Sequence, residues 1–298
     1  MKIDTYQQRS LENTAHITAW LVYDEAEAKR NEHYIRLYFD ECYQRNIQLH
    51  LLLIEKIEIC ILDAAPVIRY DGVILTLPTF AICRTINPIL SQQLEYMCIP
   101  VFNNAFVSTI CNHKMKTYQY MSAFGVQTMD TFWVRNAQAA SGGAVYPFVI
   151  KPVDGKGGNH VFLVRNKKEY DVAAANLENR ECVMQRVASD IGKDLRVYVI
   201  GKRIVMAMLR ISEIDFRSNY CLGGNASVYE LSGDERTSVE KIIGLFDFGL
   251  VGIDFVFHNG NIVFNEIEDV VGSRMVYALT KINIVAEYLD YILSVIAR

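Results

Sequence analysis

The sequence predicts an α/β protein with α+β elements, because strand and helix patterns alternate in its first third and hairpin patterns fill its last third. Ile17–Tyr23 is apolar and β-prone, and residues 24–45 carry aromatic and aliphatic side chains at helical spacing. Alternation of this kind favours a mostly parallel sheet covered on both faces, and we assign it to a first domain, residues 1–107. This domain contains no glycine fingerprint of a dinucleotide-binding unit.

A second domain is predicted over residues 108–187. Residues 108–124 have helical spacing, with Ser108 as the N-cap and Gly125 as the stop, so one long helix is expected here. A strand over 148–151 and its return strand over 161–164 follow, and residues 182–187 form a further strand.

A glycine-rich loop follows the apolar run that ends at Lys151. It contains Gly155, Lys156, Gly157 and Gly158. Glycine lets backbone N–H groups approach a bound anion closely, and lysine adds a mobile positive charge. The pattern therefore indicates a polyphosphate site beneath a flap, although the Walker spacing is absent. On this pattern alone, an ordinary hairpin with a glycine turn stays open as an alternative.

A third domain is predicted over residues 188–298 and contains two hairpin patterns. The runs 195–200 and 203–209 flank Gly201-Lys202, and the runs 250–258 and 261–267 flank Asn259-Gly260. A final helix is predicted from Val276 to the C-terminus.

The second hairpin carries three acidic residues: Asp254, Glu266 and Glu268. Alternation along a strand places Glu266 and Glu268 on one face, and antiparallel pairing can bring Asp254 onto that face. Converging carboxylates among apolar strands are costly without a cation, and oxygen ligands of this kind suit Mg²⁺ shared with phosphates. A solvated strand face is the alternative interpretation.

Arginines that lie between the glycine-rich loop and the second hairpin in the sequence offer further anion contacts. Arg196 lies in the first hairpin pattern and Arg210 directly follows it. Arg217 is followed by Ser218 and Asn219, which add a hydroxyl and an amide. Guanidinium groups bind carboxylate and phosphate oxygens well. A surface loop is the alternative for any one of these arginines.

Composition limits the classes of partner. Hydrophobic residues make up 51% of the 298 residues and the net charge is −4, so no global basic charge favours nucleic acid or an anionic membrane as a partner. The seven cysteines form no C-x-x-C pair, which favours reduced thiols packed as small core residues. The N-terminus does not resemble a signal peptide and no apolar run reaches membrane-spanning length, so we expect a cytoplasmic protein.

The motifs together resemble the ATP-grasp superfamily, specifically its RimK-like carboxylate–amine ligases. Six blocks occur in the order of that family and span about residues 110–275, and the first hundred residues are similar to its N-terminal α/β domain. The blocks are His113-Lys114, Val149-Ile-Lys151 with its flap, Met184-Gln-Arg-Val187, Asp194-Leu-Arg196, the pair Asp215–Asn219 and Gly223–Ser227, and Gly252-Ile-Asp254 with Asn265–Glu268.

The resemblance implies an ATP-grasp fold with an N-terminal parallel α/β domain, a small central lid domain and a C-terminal antiparallel-sheet domain. It also implies ATP and two Mg²⁺ ions as cofactors, with Mn²⁺ as an alternative metal. The implied nucleotide contacts are Lys114, Lys151, Gly155, Lys156, Gly157, Gly158, Gln185, Arg186, Val187, Asp194, Arg217, Ser218 and Asn219. The implied metal ligands are Asp254, Glu266 and Glu268, and the implied catalytic residues are Arg210, Arg217 and Arg274.

The chain departs from the family pattern at three places. Glu268 stands where RimK-like enzymes usually have asparagine, and an added negative charge is expected to tighten or reshape metal binding. Residues 269–274 replace a run of small residues that borders the acceptor site, so Arg274 is expected either to bind a substrate carboxylate or to form a structural ion pair. Asn159-His160 stands where a further glycine is common in the flap.

The function implied by the resemblance is ATP-dependent ligation of a carboxylate to an amine through an acylphosphate, with ADP and phosphate as products. A non-catalytic nucleotide-binding regulator and a kinase that phosphorylates a hydroxyl are the alternatives. Expected partners are small-molecule or peptide carboxylates and amines, with a carrier protein as a further option, and no nucleic acid or membrane. A homo-oligomer is left open.

Overall fold

The computed structural model describes residues 17–138, 145–155, 157–158, 160–213, 215–216 and 225–297. These residues form two compact units. The first comprises residues 17–108, 247–250 and 280–297, and the second comprises the described residues of 109–246 and 251–279. The domain boundaries drawn from the sequence at residues 107 and 187 stay a prediction.

The elements of the first part of the chain are β1 (Ile17–Tyr23), α1 (Glu25–Arg30), α2 (Glu32–Gln44), β2 (Ile47–Leu53), β3 (Ile57–Leu62), β4 (Ala65–Tyr70), β5 (Val73–Ile74), β6 (Phe80–Cys83), α3 (Pro88–Tyr96), β7 (Val101–Phe102) and α4 (Ala105–Cys111). Those of the remainder are α5 (Lys114–Ala123), β8 (Thr131–Val134), β9 (Phe148–Pro152), β10 (Phe162–Val164), α6 (Lys167–Leu177), β11 (Cys182–Arg186), β12 (Lys193–Ile200), β13 (Arg203–Ile211), β14 (Asn225–Tyr229), α7 (Gly233–Gly244), β15 (Leu250–His258), β16 (Asn261–Glu268), α8 (Arg274–Leu279) and α9 (Ile284–Ile296).

The first unit contains a parallel sheet in the order β2-β1-β6-β7. Its central strand β1 is buried from Ala19 to Tyr23, because helices of a parallel sheet cover both faces and leave no polar side. Trp20 and Val22 pack in one cluster with Leu90 and Leu94 of α3. The strands β3, β4 and β5 form a separate antiparallel sheet.

The second unit contains two antiparallel sheets, in the orders β10-β9-β11-β8 and β14-β13-β12-β15-β16. The α6 helix packs on the first of them through Tyr170 and Leu177, which share a buried cluster with Phe148 and Ile150. The parallel sheet of the first unit and the antiparallel sheets of the second confirm the α/β class with α+β elements that the sequence predicted.

The single helix predicted over residues 108–124 is wrong, since the chain forms α4 and α5 there. Ser108 lies inside α4 and is not a cap; Asn104 Oδ1 instead accepts from the Val107 N–H at 2.8 Å. His113 caps α5, with Nδ1 accepting from the Lys116 N–H at 3.3 Å. Gly125 follows α5 with φ 66°, as its expected role as the stop requires.

The final helix predicted from Val276 to the C-terminus is also two helices, α8 and α9. Asn283 begins α9, where its Oδ1 accepts from the Ala286 N–H at 3.1 Å. A side-chain acceptor at this position satisfies a backbone donor that a helix start leaves without an intrahelical partner. None of the helices in the described part of the chain has the length and apolar composition needed to cross a membrane.

Candidate functional site

One cavity of the second unit is lined by both antiparallel sheets, by α5 and by the glycine-rich segment. Eleven residues expected at a nucleotide or metal site from the sequence line it together: Lys114, Lys151, Gly155, Gly157, Gly158, Gln185, Arg186, Val187, Asp194, Asp254 and Glu266. The segments that the sequence separates by more than a hundred residues therefore meet at one place.

The cavity lining combines apolar and charged side chains in a regular way. Side chains two positions apart on a strand point to the same face. Val149 therefore accompanies Lys151 on β9, and Val256 accompanies Asp254 on β15, and all four line the cavity. Met129, Val161 and Ile191 add apolar surface. An apolar wall that adjoins a charged region suits a flat heterocyclic base attached to phosphates.

Two of the three lysines that line the cavity, Lys114 and Lys151, contact its polar groups. Lys114 Nζ donates to Gly155 O at 2.6 Å and lies 3.4 Å from Glu266 Oε2. Lys151 Nζ donates to Asn265 Oδ1 at 3.1 Å and lies 5.7 Å from the centroid of the Tyr118 ring. Burial lowers the pKa of Lys151, although Glu266 and Asp254 oppose the shift. A buried ammonium of this kind gains from an anionic ligand, which removes part of its desolvation cost.

The three acidic residues of the second hairpin converge, as the strand pattern predicted. Asp254 pairs directly with Glu266 in the β15–β16 ladder, and Gly252 pairs with Glu268. One carboxylate oxygen from each of Asp254, Glu266 and Glu268 lies within 4.8 Å of the others. Oxygen donors at this separation fit Mg²⁺ or Mn²⁺, which bind carboxylates together with substrate phosphates.

Two arginines of the neighbouring strands bind these carboxylates. Arg196 Nε lies 2.7 Å from Asp254 Oδ1, and Arg196 Nη2 lies 2.6 Å from Asp254 Oδ2 and 2.6 Å from Glu268 Oε1. Arg210 binds Asp194 through Nε–Oδ1 at 2.6 Å and Nη2–Oδ2 at 2.8 Å, and its Nη2 also lies 2.8 Å from Asp254 Oδ2. The result is a continuous chain of alternating charges from Asp194 to Glu268.

The arginines decide the charge state of Asp254. Burial alone would raise the pKa of this carboxyl, but Arg196 and then Arg210 outweigh burial and lower the pKa to about 2. Asp254 is therefore ionised at neutral pH although its side chain is only 2% exposed. An ionised carboxylate is the form that a metal ion needs.

Gly252 allows Arg196 to lie across β15. A Cβ at this position would be 2.7 Å from Val271 Cγ2 and 3.4 Å from Arg196 Cδ. The first distance is shorter than carbon atoms tolerate, so a larger residue would displace either the segment after β16 or the arginine.

Several expected site residues take other positions. Arg210 and Asp194 bind each other through two contacts, and the expected catalytic role of Arg210 and the expected nucleotide contact of Asp194 stay predictions. The Gln185 side chain donates to Thr131 Oγ1 at 3.0 Å, and its backbone lies in the sheet opposite Thr131 and Val149. Arg274 is exposed at the start of α8 and is not among the described residues that line the cavity. Lys156, Arg217, Ser218 and Asn219 lie outside the described residues.

The cavity also contains residues that sequence reasoning missed. Ala188, Asp190, Ile191 and Gly192 come from the turn between β11 and β12. Lys193 begins β12, and Phe216 and Asn265 complete the described lining. Gly192 has φ 77° and is packed so tightly that a Cβ would be 2.5 Å from Ser212 O. The sequence signal that could have identified this turn is the glycine directly before β12, the strand that contains Asp194 and Arg196. His160 of the flap has φ 57°, which agrees with the frequent occurrence of glycine at this position.

Known proteins share sequence patterns with this chain. The model of the RimK-like ATP-grasp domain matches residues 113–292. A curated relative, "Uncharacterized protein MG011 homolog" of Mycoplasma pneumoniae, is 26% identical over 88% of this chain and 86% of its own length. "Glutamate--LysW ligase ArgX" of Sulfurisphaera tokodaii is 27% identical over 68% of this chain and 76% of its own length.

A solved structure supports the same fold. The RimK domain ATP-grasp protein of Sphaerobacter thermophilus has a TM-score of 0.69 at 16% identity, over 93% of this chain and 99% of that one. The ATP-grasp fold and the class of ATP-dependent carbon–nitrogen ligase predicted from the sequence are thereby confirmed. With its family model covering more than half of its length, the chain belongs to the RimK-like ATP-grasp domain family.

Proposed function

We propose that this chain joins a carboxylate to an amine through an acylphosphate, with ATP and two Mg²⁺ ions as cofactors and Mn²⁺ as a substitute metal. The observation that carries the proposal is the meeting of Lys114 and Lys151 with Asp254 and Glu266 at one cavity, where Glu268 completes the cluster of three carboxylates. Cations on one side and metal-binding oxygens on the other match the charges of a metal-bound triphosphate.

The nucleotide would lie between the two antiparallel sheets. Val187 and Gln185 would meet the base through backbone groups, with Met129, Val161 and Ile191 packed around it. Lys114 and Lys151 would bind phosphate oxygens, since both ammonium groups already lie at the cavity. The backbone of Gly155, Gly157 and Gly158 would approach the phosphates closely, as the absence of side chains allows.

Asp254, Glu266 and Glu268 would hold the metal ions, which would supply positive charge against the negative charge that develops during phosphoryl transfer. The protein supplies no nucleophile in this scheme. Its residues hold the reacting groups in position and stabilise charge, which are the main protein contributions to phosphoryl transfer. Arg217, with Ser218 and Asn219, is proposed to bind the phosphates, Arg210 the transferred phosphoryl group or the substrate carboxylate, and Arg274 a substrate carboxylate.

The substrates are proposed as a class. The relative ArgX is named for joining glutamate to LysW. An amino acid on one side and a small carboxylate, a peptide or a carrier protein on the other is therefore the range that we propose for this chain, together with a cytoplasmic location. The three-domain organisation with boundaries at residues 107 and 187 is part of the same proposal.

The test is to incubate the protein with Mg²⁺, ATP and pools of amino acids and short peptides, and to follow ADP release and new amide masses. We expect ADP and an amide product in equal amounts, and loss of both in Glu266→Gln. ADP release with a phosphorylated hydroxyl product would favour the kinase alternative. Tight nucleotide binding without ADP in any pool, or full activity of Glu266→Gln on a substrate so identified, would contradict the proposed function.

A further inference from the structure

We propose that Arg196 is the internal counter-cation of the metal site, so that a divalent ion binds the three carboxylates together with the nucleotide phosphates and not before them. The inference rests on the proposed function, because it concerns how the proposed metal and nucleotide are bound. It assigns to Arg196 a positioning role that the sequence did not indicate.

Arg196 occupies carboxylate oxygens of the candidate metal site. Its guanidinium binds both oxygens of Asp254 and one oxygen of Glu268, at 2.7, 2.6 and 2.6 Å. Two of the three candidate metal ligands are therefore already paired with this guanidinium, and the third, Glu266, lies 3.4 Å from Lys114 Nζ. Charge-assisted contacts of this length are among the strongest hydrogen bonds in proteins. A metal ion that binds these oxygens competes directly with Arg196.

Basic side chains already balance the negative charge of the three carboxylates. The three carboxylates, their ion-pair partners Lys114, Arg196 and Arg210, the Asp194 that Arg210 binds, and the nearby Lys151 make four negative and four positive charges. The other charged residues of the described cavity lining are Asp190, Arg186 and Lys193, one negative and two positive. The region around the carboxylates therefore has no excess of negative charge without an added ion. A divalent ion alone would add two uncompensated positive charges at a largely buried place, which is unfavourable. The negative charges of a triphosphate remove this penalty.

Arg196 is better placed for this role than Arg210. Arg210 has two contacts with Asp194 and a single contact with Asp254, so Asp194 already occupies most of its guanidinium. Arg196 instead binds Asp254 on both oxygens and reaches Glu268 with the same Nη2 atom. Its side chain is only 7% exposed, so water competes little for these contacts. Removal of the Arg196 charge therefore frees more carboxylate oxygens for a metal ion than removal of the Arg210 charge.

The experiment measures Mn²⁺ binding by electron paramagnetic resonance, without turnover. The wild-type protein is titrated with Mn²⁺ alone and in the presence of a non-hydrolysable ATP analogue. We expect Mn²⁺ to bind the wild type at least about tenfold more weakly without the analogue, in line with a coupling energy of about 1.4 kcal/mol or more. Equal Mn²⁺ affinity in the two titrations, with the analogue bound, would overturn the inference.

Variants then assign the effect to Arg196. Without nucleotide, we expect Arg196→Gln to bind Mn²⁺ at least about tenfold more tightly than the wild type, and Arg210→Gln to gain less. Arg236→Gln is the matched control, since Arg236 lies 3.9 Å from Glu240 on an exposed face of α7 and should leave Mn²⁺ affinity unchanged. An unchanged Mn²⁺ affinity of folded Arg196→Gln would contradict the inference.

An unfolded Arg196→Gln variant and an ATP analogue that does not bind are two further outcomes of the experiment, and each has a definite interpretation. Circular dichroism checks that Arg196→Gln is folded; if it is not, the two wild-type titrations still test whether the ion binds only together with the nucleotide. Failure of the ATP analogue to bind the wild type would contradict the proposed function instead. Binding of the analogue with metal affinity unaffected by it would contradict only the role of Arg196.

Discussion

Arg196 and Asp254 form a two-point ion pair in which Nε lies 2.7 Å from Oδ1 and Nη2 lies 2.6 Å from Oδ2. Their side chains are 7% and 2% exposed, so neither charge is solvated by bulk water. The pair joins β12 to β15, two neighbouring strands of the five-stranded sheet, at the point where the second hairpin presents its carboxylates. The Asp254 carboxylate is thus both a member of a buried ion pair and a candidate metal ligand.

The first prediction concerns the stability of this pair. Asp254→Asn removes the charge that Arg196 and Arg210 share, and loss of one member of a buried ion pair costs about 3–5 kcal/mol. We expect a decrease of this order in the free energy of unfolding, measured by urea denaturation. Glu240→Gln removes an exposed carboxylate from α7 and should change stability by less than about 0.5 kcal/mol. Similar stabilities of the two variants would contradict the structural role of Asp254.

The second prediction concerns nucleotide affinity. Lys151→Gln removes a buried ammonium at the cavity, and a hydrogen bond to a charged group is worth about 1.5–3 kcal/mol. We therefore expect ADP to bind this variant roughly 10- to 100-fold more weakly by isothermal titration calorimetry. Lys168→Gln, on the exposed surface of α6, is the control and should bind ADP as the wild type does. Unaltered ADP affinity of Lys151→Gln would exclude a phosphate contact of this lysine.

The third prediction concerns Gly252. In Gly252→Ala the new methyl group would be 2.7 Å from Val271 Cγ2, and an overpacked position of this kind costs about 1–3 kcal/mol. We expect lower thermal stability and a weaker response of that stability to ATP with Mg²⁺. Gly244→Ala is a matched control, because nothing lies within 4 Å of a Cβ there and the residue ends α7. A control variant less stable than Gly252→Ala would contradict the packing argument.

The fourth prediction concerns the cysteines. Burial raises the pKa of Cys42 to about 12 and that of Cys182 to about 11, whereas Cys98 is exposed. At pH 8 only about one Cys42 thiol in ten thousand is ionised, and the thiolate is the reactive form. We expect iodoacetamide to modify Cys98 well before Cys42 or Cys182 in the folded protein, as read by mass spectrometry of peptides. Modification of Cys42 as fast as Cys98 would show that the first unit opens readily.

The sequence allowed correct prediction of features that depend on local pattern. The convergence of Asp254, Glu266 and Glu268 follows from alternation along two strands and from a hairpin turn that fixes their register. Lys151 at the end of an apolar run was located for the same reason. In each case the informative residues are close along the chain or belong to one hairpin.

Other features depend on choices between partners that residue type does not encode. Arg210 was expected at a ligand, yet Asp194 binds it through two contacts. Arg196 binds Asp254, which lies 58 positions further along the chain, because β12 lies beside β15 in the sheet. The break between α4 and α5 was missed because His113, an uncommon capping residue, begins the second helix.

The most direct test of the account is to trap the acylphosphate. An acylphosphate reacts with hydroxylamine to give a hydroxamate, whereas a phosphorylated hydroxyl and a protein that only binds ATP do not. We expect ATP, Mg²⁺, hydroxylamine and pooled carboxylates to yield ADP and a hydroxamate in equal amounts with the wild type, and neither product above background with Glu266→Gln. ADP formation from a carboxylate-dependent reaction without any hydroxamate would contradict the account.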